Sequence, residues 1–192
     1  PPKRLRRFPR ERRRNPPALG GGGCQNARAL IAQRYPDTVR NPNYTFNETA
    51  FQQATARIRE VQKAYDISDE GDKLRKEKRY PEALAKYEQA IAREPGQASF
   101  HSSAGRVHLI RKDYPAAESS LRRALRMDEE SFEPHFLMGV LRYQEKDYRG
   151  AIPELSRSMD LLPTKQGAGY LSKSYEAIGD RQNAGKYAEM AQ

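Results

Sequence analysis

The sequence AYDISDEGDKLRKEKRYPEALAKYEQAIAREPGQ, residues 64–97, decides the fold because its pattern returns along the chain at a fixed spacing. Small, aromatic and large apolar residues recur at a step of 34. The recurring residues are Gly71, Gly105 and Gly139; Tyr80, Tyr114 and Tyr148; Ala83, Ala117 and Ala151; and Tyr87, Leu121 and Leu155. Several kinds of residue that share one period indicate a repeat architecture, in which each unit buries its apolar face against its neighbour.

Each unit carries the pattern of two amphipathic helices. Ala83, Tyr87 and Ala90 follow one another at steps of four and three, which places them on one buried stripe of a helix. Pro81 begins that helix, where the missing N–H costs no hydrogen bond. A glycine inside a helix costs about 1 kcal/mol relative to alanine. The glycines repeated in register therefore predict a close crossing between the two helices of each unit.

This pattern resembles the tetratricopeptide repeat (TPR) family. The match rests on a small residue at position 8 of each unit, an aromatic residue at 17, alanine at 20, a large apolar residue at 24 and a small residue at 27. We therefore expect units at 64–97, 98–131, 132–164 and 165–192, the last with one residue deleted. The resemblance implies an all-α fold, a helix-pair solenoid that forms a right-handed superhelix.

Residues 25–63 are expected to form a helical segment that caps the first repeat. Thr45 and Glu48 have the spacing of a capping box, and Phe51 and Ile58 lie on one face of the helix that would follow. Terminal units of a solenoid require such a cover.

The positive charge of the chain is concentrated at its start. The formal net charge is +10, and residues 1–24 carry eight Lys and Arg and one Glu, which is 8 − 1 = +7. This stretch has no apolar period, so it cannot bury enough surface to offset the entropy of ordering. We expect a disordered basic tail at 1–24, separate from a TPR domain at 64–192.

The composition argues against membrane, metal and catalytic chemistry. Hydrophobic residues make up 36% of the chain, and no stretch approaches the roughly 20 apolar residues that cross a bilayer. We expect a soluble protein of the cytoplasm or periplasm without a signal peptide. His101 and His135 share one slot of adjacent units, but no thiol or carboxylate stands at a ligand spacing beside them. We expect no enzyme activity, no metal and no cofactor.

The resemblance implies a protein or peptide partner, held in the concave groove that the first helices form. Positions 2, 5, 9, 12 and 13 of each unit face this groove in the family. The groove residues expected in this way are Tyr65, Asp72, Arg75, Arg106, Leu109, Ile110, Phe136, Val140, Tyr143 and Lys173. We expect the cations among them to meet acidic groups and the apolar residues to anchor the partner.

One class of partner contact is excluded by the same comparison. TPR proteins that hold the C-terminal carboxylate of chaperones carry Lys and Asn at positions 5 and 9 of the first unit, where this chain has Ser68 and Asp72. In the third unit Glu133 and Leu137 stand where Lys and Arg are needed. We expect no chaperone carboxylate clamp.

Two other functions remain open at this point. Residues 26–36 followed by TPR units resemble the segment behind the catalytic domain of HtpX-like bacterial zinc metalloproteases. This chain would then be a detached regulatory or substrate-recruiting region, since it has no His-Glu-x-x-His motif. Nucleic-acid binding through the basic tail is a weaker alternative, because a solvated tail has the same composition.

The sequence ends within the second helix of the fourth unit. Tyr187, Ala188 and Ala191 are expected to face inward there, whereas Met190 lacks a cover. An end unit is stabilised by a neighbour on one side only. We expect the last helix to fray first, or to form a weak homodimer contact.

Removal of residues 1–24 should leave the melting temperature unchanged, because a segment without an apolar period contributes no packing. Thermal unfolding of the 192-residue chain and of the truncated chain, followed by circular dichroism, tests this. A melting temperature several degrees lower in the truncated chain would show that the tail packs on the domain.

Overall fold

A computed structural model describes residues 47–192, so the expected tail and most of the 25–63 segment lie outside the described residues. The chain divides into two units, residues 1–56 and 57–192. Within the first unit the described residues form the beginning of a helix.

Residues 47–192 form eight helices and contain no strand. The helices are α1 (Glu48–Lys76), α2 (Tyr80–Arg93), α3 (Ala98–Ile110), α4 (Tyr114–Met127), α5 (Phe132–Gln144), α6 (Tyr148–Leu161), α7 (Lys165–Ala177) and α8 (Arg181–Met190). The all-α architecture predicted from the sequence is confirmed.

The helices stack as consecutive pairs. From α3 onward, each odd-numbered helix packs on the even-numbered helix that follows it, and each even-numbered helix packs on the next odd-numbered one. The odd-numbered helices also contact one another in series, α3 with α5 and α5 with α7. This is a helix-pair solenoid, in which each unit contacts its neighbours. We call the surface formed by residues 57–76 of α1 together with α3, α5 and α7 the first-helix face.

The first helix is longer than the repeat pattern predicts. α1 has 29 residues and joins the expected N-terminal segment to the first helix of the first unit, because no proline or glycine interrupts residues 48–70. Its N-cap is Asn47, whose Oδ1 accepts a hydrogen bond from the Ala50 backbone N–H at 2.9 Å. The capping-box spacing had placed the cap two residues earlier, at Thr45.

A buried carboxylate ties α1 to the end of α2. The Glu94 side chain is 5% exposed, and both its oxygens accept hydrogen bonds from the two terminal nitrogens of the Arg57 guanidinium. A carboxylate at this depth is tolerated only when it is paired, and the bidentate geometry provides that pairing.

A glycine in each of the first three units lies directly against a large buried side chain. The contacts join Gly71 to Tyr87, Gly105 to Leu121 and Gly139 to Leu155. A Cβ added at these glycines would lie 2.8, 2.9 and 2.5 Å from the facing side chain. The close crossing predicted from the glycine spacing is therefore present, and it has no room for a side chain.

The fourth pair has different residues at these two positions. Ser172 occupies the glycine position, and Ala188, which is exposed, occupies the position of the large residue. The Ser172 hydroxyl donates to the Ala184 carbonyl oxygen at 2.9 Å, so this pair is joined by a hydrogen bond at the glycine position.

The turns inside the pairs share one backbone conformation. Lys78, Lys112 and Lys146 have φ values of 63°, 60° and 65°, and the equivalent residue of the last pair is Gly179 with φ 86°. This left-handed residue ends the first helix of the pair. The second helices α4, α6 and α8 then begin with an aspartate whose side chain accepts a backbone N–H from the first turn.

The last helix is the least buried of the described helices. No residue of α8 is buried, and Met190 is 47% exposed. Tyr187 packs on the core of the last two pairs, and its ring stacks on that of Tyr175 with centroids 5.7 Å apart. The expected inward orientation of Tyr187 is therefore present, whereas Ala188 is exposed.

Gly105→Leu should destabilise the protein by about 1–3 kcal/mol, because it forces bulk into a closed crossing. Gly185→Leu is the matched control, since Gly185 lies in α8 with nothing within 4 Å of an added Cβ. Urea unfolding should show a lower midpoint for the first variant and not for the second. Equal midpoints for the wild type and Gly105→Leu would contradict this account of the crossing.

Ser158→Ala should raise the free energy of unfolding by about 1 kcal/mol, because it removes a buried hydroxyl with no partner. Ser158 is fully buried, and its Oγ has no hydrogen bond to any residue of the described part. Ser174→Ala is the matched control. Ser174 is also fully buried, but its hydroxyl donates to the Tyr170 carbonyl oxygen at 2.8 Å. Ser174→Ala should lower stability, and the same sign for both variants would refute the argument.

Candidate functional site

The first-helix face begins with charges that are already paired. In α1 the Arg75 guanidinium donates to Asp72 Oδ1 from Nε at 3.2 Å and from Nη2 at 3.0 Å. The Tyr87 hydroxyl of α2 donates to the same oxygen at 2.8 Å. Burial, with the Asp72 carboxylate beside it, raises the pKa of Tyr87 to about 12. Arg75 and Asp72, both expected in the groove, are thus paired with each other, and Asp72 also joins α1 to α2 through the Tyr87 hydroxyl.

The next charged residue of the face is also paired within the chain. Arg106 of α3 forms an ion pair with Glu133 of α5, with Nη2 and Oε1 2.5 Å apart. The two side chains are 36% and 29% exposed. This pair crosses from one unit to the next, so it fixes the spacing of the two helices as well as the charge between them.

Three other expected groove residues lie in different surroundings. Tyr65 donates to Gln97 Oε1 at 2.9 Å, and its ring lies edge-on to that of Phe100, with centroids 5.0 Å apart. Leu109 is 5% exposed and belongs to the core, whereas the neighbouring Ile110 is 45% exposed.

The remaining expected residues gather around the helices α5 and α7. A cavity of about 360 Å³ lies between these helices, and Phe136, Val140 and Lys173 line it. Tyr143 stands behind it, since its ring contacts the rings of Tyr148 and Tyr170 with centroids 5.4 and 5.2 Å apart. The structure therefore brings three expected residues into one cavity and a fourth to its wall.

Residues that the sequence reasoning missed complete this cavity. Its other lining residues are Leu137, Gln166, Gly169 and Tyr170. Gln166 and Gly169 are positions 2 and 5 of the fourth unit, in the register that gave Lys173 as position 9, so the positional rule would have found them if it had been applied to all positions of that unit. Tyr170 lies outside the rule. Its ring meets that of Phe136 edge to face, with centroids 5.9 Å apart, an arrangement that favours aromatic pairs.

Lys173 is the one charged side chain among the described residues that line the cavity. It is exposed, and within residues 47–192 no carboxylate forms an ion pair with it. The cavity thus combines an aromatic and apolar floor with a single available ammonium group at its rim. Such a combination of an apolar pocket and one placed charge is typical of a ligand-binding pocket.

The two histidines that share a slot of adjacent units hold the loops between helix pairs. His101 Nε2 lies 3.2 Å from the Pro95 carbonyl oxygen, and His135 Nε2 lies 3.1 Å from that of Glu129. Burial lowers the pKa of His101. The carboxylate of Glu154 lies 2.7 Å from His135 Nδ1, a contact across 19 residues that the spacing in the sequence does not indicate. In the part of the chain that the structure describes, no group of three or more possible metal ligands comes together.

Between residues 47 and 192, no helix combines the length and the apolar composition that a membrane span needs.

Comparison with known proteins gives the family. A model described as tetratricopeptide repeat matches residues 68–132 and 113–165, which together cover 68–165, just over half of the 192 residues. Among curated proteins, the chain is similar to the E3 ubiquitin-protein ligase CHIP of Arabidopsis thaliana, with 27% identity over 123 residues. The match covers 64% of this chain but only 43% of that relative.

Solved structures show the same fold. The first TPR of Spaghetti (RPAP3) bound to the HSP90 peptide SRMEEVD matches with a TM-score of 0.59 and 21% identity, over 62% of this chain and 94% of that chain. MamA matches with a TM-score of 0.61 and 15% identity, over 77% of this chain and 94% of that chain. The TPR resemblance stated from the sequence is confirmed.

Proposed function

The chain belongs to the tetratricopeptide repeat family, and from this premise we propose that it is a non-catalytic scaffold that binds a peptide or protein segment on its first-helix face. The observation that carries the proposal is the cavity between α5 and α7. Its wall combines the partly exposed rings of Phe136 and Tyr170 with the core residues Leu137 and Val140, which are 4% and 6% exposed.

The fold favours such binding, because it places rigid helices side by side and leaves their outer residues free to vary. In the first three pairs the interior is formed by the glycine-against-large-residue contacts between the two helices, so the exposed residues of the first helices can differ from unit to unit without changing those contacts. An aromatic anchor in a preformed pocket supplies most of the affinity in many interfaces.

One structural neighbour supports the proposal by its bound ligand. The Spaghetti (RPAP3) TPR domain is described with an HSP90 peptide, and at 21% identity the likeness concerns the fold. This chain spans less than half of the ubiquitin ligase that it matches, and ligase chemistry is no part of the proposal. A different peptide chemistry is expected here, because Ser68 and Asp72 stand where the carboxylate clamp needs Lys and Asn.

Gly169→Leu should abolish peptide binding without loss of stability. Gly169 lines the cavity, so a leucine there alters the cavity wall, and a Cβ added at this glycine would meet only Ala191 Cβ, at an ordinary contact distance of 4.0 Å. Replacing a helical glycine also favours the helix. Selection of phage-displayed random dodecapeptides on the immobilised 192-residue chain, followed by fluorescence anisotropy with the selected peptides, measures the effect.

Gly185→Leu provides the matched control, because it makes the same change on α8, away from the cavity. It should bind the selected peptides as the wild type does. If Gly169→Leu is folded by circular dichroism and binds them equally well, the proposed site is wrong.

A further inference from the structure

Two of the cations expected to meet a partner on the first-helix face are already paired within the chain. Arg75 is paired with Asp72, and Arg106 is paired with Glu133. A partner carboxylate would have to displace an existing carboxylate at either arginine. Such an exchange gains little, since an ion pair is lost for each one that is made.

Lys173 differs from these arginines in having no ion pair and in lying at the cavity. It is exposed and forms no ion pair with any residue in 47–192, and it stands at the rim of the one cavity that Phe136, Val140 and Tyr170 line. Its ammonium group can therefore meet an anion of the partner at no cost to the scaffold. Its position fixes where that anion must lie, next to the side chain that fills the cavity.

On the basis of the proposed function, we infer that the partner segment carries an apolar side chain that enters the cavity and an acidic side chain beside it that pairs with Lys173. The cavity volume of about 360 Å³ is enough for one large side chain, aromatic or branched. The Gln166 amide at the cavity wall can donate and accept hydrogen bonds with the backbone of the segment. Recognition is thus confined to an acidic and apolar pair of neighbouring residues.

We assign the preference for an acidic residue in the partner to Lys173 alone. Such a local contact differs from a general attraction of acidic peptides to a basic protein. The formal charge of +10 comes mainly from residues 1–24, and a diffuse attraction would persist when Lys173 is changed. A local contact is also weakened by salt only to the extent of one pair.

The test is a charge reversal in the dodecapeptide selection. On the wild-type chain, the selected peptides should be enriched in Asp or Glu within two residues of a Leu, Ile, Met or Phe. On Lys173→Glu the acidic preference should turn into a preference for Lys or Arg. A peptide selected on the wild type should bind Lys173→Glu about fivefold to tenfold more weakly, as expected for one exposed pair replaced by repulsion.

Arg157→Glu is the matched control, because it makes the same charge change at an exposed residue of α6, which is a second helix and does not line the cavity. It should leave both the selected motif and the affinity unchanged. Arg106→Ala should likewise keep the acidic preference, since the acid is assigned to Lys173.

The outcomes separate the two proposals. Suppose that the selected peptides fail to bind Gly169→Leu, so that the scaffold function holds. If those peptides show no acidic preference, or if the preference persists in the selection on Lys173→Glu, the charge assignment is wrong. An equal loss of acidic preference in Arg157→Glu also overturns it. If the selection on the wild-type chain enriches no peptide above the background obtained with Gly169→Leu, both the charge assignment and the scaffold function are wrong.

Discussion

The structure depends on one steric constraint, the contact of a residue without a side chain against a large one inside each of the first three helix pairs. Gly105 meets Leu121, and Gly139 meets Leu155, at distances that exclude even a methyl group. Because the two helices touch there, the remaining small and apolar residues of both can bury one continuous stripe. Stacking of the pairs follows from that shape, since a unit with a fixed crossing presents the same outer ridges to each neighbour.

This constraint explains why so much of the fold could be predicted from the sequence. A buried contact that is repeated in successive units requires the same kind of residue at a fixed period. Large residues therefore recur at this position in the first three units, as Tyr87, Leu121 and Leu155. The turns follow the same period, since an aspartate caps the second helix of three pairs, although these caps were not identified from the sequence. The length of α1 was harder to foresee, because the 34-residue period begins at Ala64 and gives no information on where a helix before it starts, and only the absence of Pro and Gly in residues 48–70 indicated it.

The candidate site was predicted less well, for a physical reason. Periodicity tells which positions face outward, but it does not tell which side chains bind one another across two helices. Arg75 and Arg106 have the expected placement, yet their charge is taken up by Asp72 and Glu133, and Glu133 lies 27 residues away from its partner. Leu109 was expected in the groove from its position in the repeat, but its side chain is buried in the core. Only coordinates distinguish a free charge from a paired one.

The cavity itself arises from an irregularity in an otherwise regular array. Position 5 is Ser68 and Ser102 in the first two units, and both serines are buried. In the third unit the position holds Phe136, and in the fourth it holds Gly169, so a large ring stands beside a residue with no side chain. The crossing glycines of the first three units contact Tyr87, Leu121 and Leu155 and not the residue at position 5, so position 5 can change from serine to phenylalanine to glycine while those contacts stay in place. Variation confined to the face therefore creates a pocket at one particular junction, between α5 and α7, and a uniform scaffold acquires a specific site.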